Sequence, residues 1–157
     1  DKYSDDGYIR WLSSFSPENC LFATAPDVVG DAETTRERAY PMLRRIRELG
    51  FKAAYVVQDG ETPAQVRWDE LDAIFIGGST EWKLSQRAGD LAAAAKKRGK
   101  WVHMGRVNSY KRIRLAAVIG CDSVDGTFLA FGPDKNEKRL MSWLHSLQAE
   151  PMLRLVQ

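Results

Sequence analysis

The chain has 157 residues, a formal net charge of +2, 44% hydrophobic and 28% charged residues, and two cysteines. This composition is typical of one globular domain with a sizeable core, and it excludes a disordered chain and a disulfide scaffold. No apolar run approaches the roughly 20 residues of a membrane span, so no membrane partner is expected. Because cysteines are few and no secretory signal opens the sequence, we expect a cytoplasmic protein whose residues 1–157 form a single domain.

Short apolar runs alternate with amphipathic segments along the whole chain. The apolar runs predict five strands, at residues 20–25, 53–57, 73–76, 101–104 and 122–124. The amphipathic segments predict helices at residues 8–15, 31–49, 66–71, 80–98, 109–119 and 135–147. Most of the strands show no alternation of polar and apolar residues, which is typical of a parallel sheet covered by helices.

Five consecutive strand–helix units predict an α/β fold with a parallel sheet. Two architectures fit this order of elements: the C-terminal part of a TIM-type (β/α)8 barrel, and a doubly wound five-stranded sheet. A complete barrel of eight units typically takes about 200–250 residues, which is more than this chain of 157 residues supplies. We expect the barrel segment and keep the doubly wound sheet as the alternative.

Polar residues and glycines follow the predicted strands at the point where each strand ends. They are Asp27, Gln58, Gly77, Gly78, Gly105, Arg106 and Asp125. In both architectures the working surface lies at the carboxyl ends of the strands. Carboxylates can attack a sugar carbon, an amide can read the edge of a heterocycle, and a glycine pair lets a flat ligand approach the backbone. Each residue alone also fits an ordinary turn or helix cap, so the prediction of a site rests on their coincidence.

A basic stretch without acidic residues lies between Asp90 and Asp122. Its cations are Lys96, Lys97, Arg98, Lys100, Arg106, Lys111, Arg112 and Arg114. The first four fit the end of a helix, where cations complement the helix dipole. Lys111, Arg112 and Arg114 instead begin a helix, where cations are unfavourable unless an anion is near. The second group therefore favours contact with phosphates, as in a nucleic acid.

The two histidines and the two cysteines show no spacing that is typical of a metal site, so no metal or other cofactor is expected. His103 lies in a predicted strand, where a histidine packed in the core is the more common case. His145 lies in the last predicted helix, and we expect it at the surface.

Five segments, taken in order, resemble motifs of the queuine/archaeosine tRNA-guanine transglycosylase superfamily. They are A-P-D at 25–27, V-Q-D-G at 57–60, F-I-G-G-S at 75–79, V-H-M-G-R-V at 102–107 and G-C-D-S-V-D at 120–125. The resemblance covers about residues 20 to 130. It implies that the five strands are the last five of a TIM-type barrel whose N-terminal βα units are absent from this chain.

Three departures from the family pattern accompany the resemblance. A second catalytic aspartate, which the family carries on an earlier strand, has no counterpart here, and neither has the zinc site of three cysteines and a histidine. The glutamine motif reads Q-D-G, with Asp59 at a position where the family has glycine. These departures fit a divergent or partial member, including one that acts on DNA.

The resemblance implies a role for each strand-end residue. Asp125 corresponds to the nucleophile. The residues that bind the base would be Asp27, Gln58, Gly77, Gly78, Met104 and Gly105. Together with the basic stretch, the resemblance also implies that Arg106, Lys111, Arg112 and Arg114 contact phosphates of the polymer.

The implied function is base exchange, in which guanine in tRNA or DNA is replaced by a 7-deazaguanine through a glycosyl intermediate on Asp125. The implied partners are the nucleic acid, the 7-deazaguanine base, and a second copy or another chain that completes the barrel. A different class also fits: a non-catalytic nucleic-acid-binding or assembly module in which the aspartates only cap helices. A phosphate-handling enzyme on a doubly wound sheet is a third reading, although no glycine-rich phosphate loop supports it.

Overall fold

The computed structural model describes residues 3–149, which form a curled, five-stranded parallel sheet, a half-barrel, with alternating helices. The strands are β1 (Ala23–Thr24), β2 (Ala53–Val57), β3 (Ala73–Ile76), β4 (Trp101–Met104) and β5 (Ser123–Val124). Each strand pairs in parallel with the next one along the chain, in the spatial order β1-β2-β3-β4-β5. A doubly wound sheet reverses its strand order at a switch point, so the consecutive order confirms the barrel-type arrangement of βα units.

Six α-helices lie in the described part of the chain. They are α1 (Asp5–Leu12), α2 (Ala32–Glu48), α3 (Thr80–Lys83), α4 (Gln86–Lys96), α5 (Tyr110–Val118) and α6 (Pro133–Ala149). Short 3-10 helices lie at Trp68–Glu70 and Leu129–Phe131. Four of the α-helices begin at a residue whose side chain accepts a backbone N–H of the first turn, namely Ser4, Asp31, Ser79 and Ser109.

The helices that connect consecutive strands pack against one face of the sheet, because right-handed connections between parallel strands place them on the same side. Alternate residues of the strands, such as Tyr55, Ile74 and Val102, enter the hydrophobic core on this side with residues of α2 and α4 such as Ile46 and Leu91. The intervening strand residues point to the other, concave face.

Aromatic rings line the concave face. The register pairs Phe75 of β3 with His103 of β4, and His103 with Ser123 of β5. The ring of Phe22 lies 5.4 Å from that of His103, and the ring of Phe75 lies 4.5 Å from it. At the carboxyl ends of the strands, this face borders Asp125, whose Oδ2 lies 3.3 Å from His103 Nε2.

The strand predicted at residues 20–25 is only Ala23–Thr24, and the helix predicted at residues 66–71 is only a 3-10 helix at Trp68–Glu70. Two further helices differ from their predictions. The first begins at Asp5 rather than residue 8, because Ser4 accepts the N–H of Gly7 and two aspartates stabilise the first turn. The helix predicted for residues 80–98 is two helices, since Ser85 has an extended backbone with φ −85° and ψ 161°. No helix in residues 3–149 is long and apolar enough to cross a membrane.

Candidate active site at the carboxyl ends of the strands

The ends of β1 and β2 are joined by a hydrogen bond between two of the predicted base-binding residues. Gln58 Nε2 donates to Asp27 Oδ2 at 2.6 Å, and Gln58 Oε1 accepts the N–H of Gly30 at 2.9 Å. Gln58 is 0% exposed, whereas Asp27 is partly exposed. The structure therefore brings the two residues together, with Gln58 orienting the carboxylate of Asp27 and Asp27 facing the solvent.

A buried ion pair supports the loop that carries Gln58. Tyr55 Oη donates to Glu61 Oε2 at 2.5 Å, Arg36 Nη1 lies 3.0 Å from Glu61 Oε1, and the N–H of Glu61 donates to the carbonyl of Gln58 at 3.0 Å. Burial, and then the hydrogen bond to the Glu61 carboxylate, raise the pKa of Tyr55 above its ordinary value. These contacts fix the turn after β2, and with it the amide of Gln58.

The two glycines after β3 are needed for close packing of this edge. A Cβ at position 77 would lie 2.7 Å from Val56 Cγ1 and 3.0 Å from Gln58 Nε2. Gly78 has a φ of +73°, which is the region that favours glycine, and a Cβ there would collide with the carboxylate of Asp59. The pair thus allows the ends of β2 and β3 to approach each other.

Asp59, the departure from the family's glutamine motif, links the end of β2 to the start of α3. Its carboxylate accepts the backbone N–H of Ser79 at 2.7 Å and the hydroxyl of Ser79 at 2.6 Å. Burial alone would raise the pKa of Asp59, but the hydrogen bonds from Ser79 outweigh it and lower this pKa. The side chain therefore serves the local structure.

Asp125, the predicted nucleophile, follows β5 and so lies at the carboxyl ends of the strands, as Asp27 does after β1. Its Oδ1 accepts the backbone N–H of Arg106 at 2.7 Å, and its Oδ2 lies 3.3 Å from His103 Nε2. The side chain is nevertheless 51% exposed. Two donors thus hold the carboxylate in place while part of it remains accessible to a ligand.

A chain of side-chain hydrogen bonds assigns the tautomer of His103. Because the carboxylate of Asp125 can only accept, His103 Nε2 donates to it. The hydroxyl of Ser123, which accepts from Trp101 Nε1 at 2.8 Å, then donates to His103 Nδ1, also at 2.8 Å. The ring proton then lies on Nε2 and points to Asp125. Burial lowers the pKa of His103, although the hydrogen bond and the charge of Asp125 oppose this shift. His103 is buried on the concave face against Phe22 and Phe75, and it also contacts the predicted nucleophile.

Basic side chains surround the carbonyls at the ends of β3 and β4. Arg106 has a φ of 58° and donates through its guanidinium to the carbonyl of Gly78. Arg112 Nη1 donates to the carbonyl of Arg106 at 3.3 Å. Both residues were predicted as phosphate contacts, and both lie at this edge.

Lys83 is a residue of this edge that the sequence reasoning missed. It belongs to α3, is 3% exposed, and donates from Nζ to the carbonyl of Gly105 at 2.9 Å. Burial, and then the charges of Arg106 and Arg112, lower the pKa of Lys83 to about 8, although Asp125 opposes the shift. A lysine placed five residues after a strand-end glycine pair is the one sequence signal that could have indicated it.

Three predicted site residues have side chains directed elsewhere. Met104 is 1% exposed and packs in the core between the sheet and the helices. Lys111 and Arg114 line a groove of about 370 Å³ with Leu84, at the surface between α3 and α5. The side chain of Met104 therefore does not reach the strand-end edge, because it alternates with that of His103.

Gly105 lies against the concave face. A Cβ at this position would lie 2.7 Å from Phe75 Cζ, so glycine is required for the ring of Phe75 to pack there. Its carbonyl carries the contact with Lys83, and it stands one residue before Arg106.

Comparison of the chain with protein-family models and with curated proteins found no match. Within residues 3–149 no group of three or more His, Cys, Asp or Glu side chains is arranged to hold a metal ion. The groups that the structure places at the carboxyl ends of the strands include two partly exposed carboxylates, the imidazole of His103 and several cations. A carboxylate held by donors can attack an electrophilic carbon or accept the donors of a heterocycle.

Proposed function

We propose that this chain is a base-exchange transglycosylase that replaces guanine in a polynucleotide with a 7-deazaguanine. The proposal rests on the observation that Asp27 and Asp125 both lie at the carboxyl ends of the parallel strands. Each is anchored by hydrogen bonds, and each is partly exposed. One carboxylate is available to bind a base and the other to attack the sugar that carries it. The resemblance of the five strand-end segments to the transglycosylase motifs supports the same assignment.

In the proposed first step, a carboxylate oxygen of Asp125 forms a bond to C1′ of the target nucleotide and the C1′–N9 bond breaks. The bonding pair leaves with the guanine, which takes up one proton. In the second step, N9 of the 7-deazaguanine attacks C1′, the ester bond to Asp125 breaks, and the incoming base loses one proton. Protons balance over the cycle, and no cofactor or nucleotide energy is consumed.

Recognition of the base is assigned to Asp27. Guanine and 7-deazaguanine share an imino N–H and an amino group on one edge, and a carboxylate is a suitable acceptor for both. Gln58 supports this role by holding Asp27 Oδ2 at 2.6 Å. The target nucleotide has to leave its stack to reach the edge of the sheet.

The phosphates of the polymer would contact the cations near the carboxyl ends of the strands. Arg106 and Arg112 lie beside the carbonyls at the ends of β3 and β4, whereas Lys111 and Arg114 extend the basic surface along α5. Phosphate contacts of this kind fix the position of a nucleic acid but carry no sequence information.

Exchange of labelled guanine into tRNA and into DNA tests the proposal with the 157-residue chain. Asp125→Asn keeps the shape of the side chain and removes its charge, so exchange should fall by at least about 1,000-fold. Asp69→Asn, at an exposed aspartate in the turn before β3, is the matched control and should exchange normally. Exchange by Asp125→Asn at the wild-type rate, or none by the wild type on either polymer, would overturn the proposal.

A non-catalytic nucleic-acid-binding module is the second candidate. It is favoured by the position of Arg106 and Arg112 at this end of the sheet, since cations can hold phosphates without any reaction. Under this alternative the wild type binds tRNA or DNA but exchanges no base. Asp125→Asn would then bind the polymer at least as tightly as the wild type, because it removes a negative charge.

A further inference from the structure

One peptide group at the end of β4 lies between a cation and the proposed nucleophile. The carbonyl of Gly105 accepts from Lys83 Nζ at 2.9 Å, and the N–H of the same peptide, which belongs to Arg106, donates to Asp125 Oδ1 at 2.7 Å. The row of groups is therefore ammonium, carbonyl, amide N–H and carboxylate. Each contact in it is a hydrogen bond to a charged group, the stronger kind.

Burial and neighbouring charges disfavour the charged form of Lys83, the cation in this row. Lys83 is 3% exposed and is repelled by Arg106 and Arg112, whereas Asp125 is the carboxylate that attracts it. The charged form of Lys83 is supported by the hydrogen bond to the carbonyl of Gly105 and by the attraction of Asp125.

Arg106, whose N–H donates to Asp125, has an unusual backbone conformation. With a φ of 58°, Arg106 is the one residue other than glycine within residues 3–149 that has a positive φ. This conformation is unfavourable for a residue with a Cβ, and such outliers cluster at functional sites. Two side-chain contacts hold it: the Arg106 guanidinium on the carbonyl of Gly78, and Arg112 on the carbonyl of Arg106.

We propose that Lys83 is a positioning residue that acts on Asp125 through the Gly105–Arg106 peptide. The ammonium polarises the carbonyl of Gly105, the N–H of Arg106 becomes a stronger donor, and the hydrogen bond that holds Asp125 Oδ1 is strengthened. The consequence for catalysis rests on the proposed transglycosylase function, whereas the coupling of Lys83 to the peptide and to Asp125 does not.

The coupling is tested without any reaction, by the chemical shift of the Arg106 amide proton in solution NMR. Lys83→Met preserves the length of the side chain in its buried position and removes the charge, so this resonance should move upfield. Lys100→Met is the matched control, because Lys100 Nζ donates to the carbonyl of Leu71 at 2.8 Å at the opposite end of the sheet. It should leave the Arg106 amide unchanged.

A titration of the unaltered protein gives a second readout that does not depend on the folding of a variant. The Arg106 amide should move upfield as the pH is raised through the pKa of Lys83, about 8, together with the signal of Lys83 Nζ. Asp125→Asn should lower the pKa of Lys83 further, because the attraction of the carboxylate is lost. An Arg106 amide that ignores both the titration and Lys83→Met overturns the proposal.

Exchange kinetics test the catalytic consequence. Lys83→Met should lower kcat by about tenfold with little change in KM, the size of effect that outer partners of reacting groups have. In the wild type kcat should fall as the pH is raised through the pKa of Lys83, about 8. This fall should be absent from Lys83→Met and present in Lys100→Met. If the wild type exchanges no base but the amide shifts as expected, the proposed function fails and the coupling stands. If exchange proceeds and kcat is unchanged in Lys83→Met, the positioning role is wrong.

Discussion

At the residue scale, the protonation of the site depends on His103. The Asp125 carboxylate can only accept, so the proton of the neutral His103 ring lies on Nε2, and desolvation of the ring favours the neutral form. Asp125 is thus held by a neutral imidazole and a backbone N–H, and neither donor cancels the charge of the carboxylate. A carboxylate held in one orientation by neutral donors is suited to the attack on C1′ that we propose.

The lowered pKa of His103 predicts a loss of stability in mild acid. Below about pH 6.5 the histidine of the unfolded chain binds a proton, whereas the folded chain binds it only at lower pH. The free energy of unfolding should therefore fall as the pH decreases from 6.5 toward the pKa of folded His103. Denaturant unfolding at pH 7, 6 and 5 measures this slope.

Two variants decide whether the acid slope belongs to His103. His103→Gln should remove most of the decrease between pH 7 and 5, because glutamine does not titrate. The other histidine, His145, is exposed on α6, so His145→Gln should keep the wild-type slope. An unaltered slope in His103→Gln would mean that carboxylates alone cause the acid sensitivity.

At the element scale, Asp59 joins two consecutive βα units. Its carboxylate accepts two hydrogen bonds from Ser79, the residue that caps α3, so it ties the turn after β2 to the turn after β3. Gly78 allows this approach because it has no Cβ. The glycine pair and the aspartate are therefore one structural unit at this edge.

Asp59→Ala should reduce the free energy of unfolding by about 1–2 kcal/mol, since it leaves a helix cap without its partner. Asp59→Gly removes the same hydrogen bonds and should destabilise by at least as much. Glu37→Gln, at an exposed position within α2, is the control and should change little. The free energy of unfolding of the three variants is measured with denaturant. A loss of stability in the two Asp59 variants alone supports the link, and equal stability of all three variants contradicts it.

The sequence predicts most elements well, because the signals are local. The strands β2, β3 and β4 are predicted to the residue, as each is an apolar run that begins after a turn and ends at a polar residue or glycine. The division between α3 and α4 was not predicted, since residues 80–98 contain no proline or other strong breaker at Ser85. There the extended backbone of Ser85 overrides the local helical pattern.

The candidate site was predicted in part for the same physical reason. The carboxyl ends of parallel strands lie on one side of the sheet. The strand pattern therefore predicts that Asp27, Gln58 and Asp125 all lie on that side. The contacts of Lys83 and His103 could not, because they depend on which side chains face each other across strands and on the path of α3. Alternation along β4 would have excluded Met104 once His103 was placed on the concave face.

At the scale of the whole molecule, the half-barrel carries cations at and beside the edge where Asp125 lies. Arg112 contacts the carbonyl of Arg106, and Lys111 lies on the same first turn of α5. A polynucleotide that spans this surface would place several phosphates against them. Binding of tRNA or DNA should therefore depend strongly on salt.

If three phosphates are neutralised, the logarithm of the affinity should fall with the logarithm of the salt concentration with a slope of roughly −2 to −3. The double variant Lys111→Glu with Arg112→Glu should flatten this slope and weaken the binding of unrelated sequences alike. A matched change of charge on α6, Lys135→Glu with Lys138→Glu, should leave the slope as it is. Equal slopes in all three proteins would assign the phosphate contacts to another surface.

The most direct test of the account is whether Asp125 forms a covalent bond to the sugar of a polynucleotide. The protein is incubated with guanine-containing tRNA or DNA without added base, denatured, and examined by denaturing electrophoresis for a protein–nucleic acid adduct. The account predicts an adduct with the wild type, its loss when a 7-deazaguanine is added to complete the exchange, and none with Asp125→Asn. An adduct that persists in Asp125→Asn, or no adduct from a wild-type protein that binds the polymer, would contradict it.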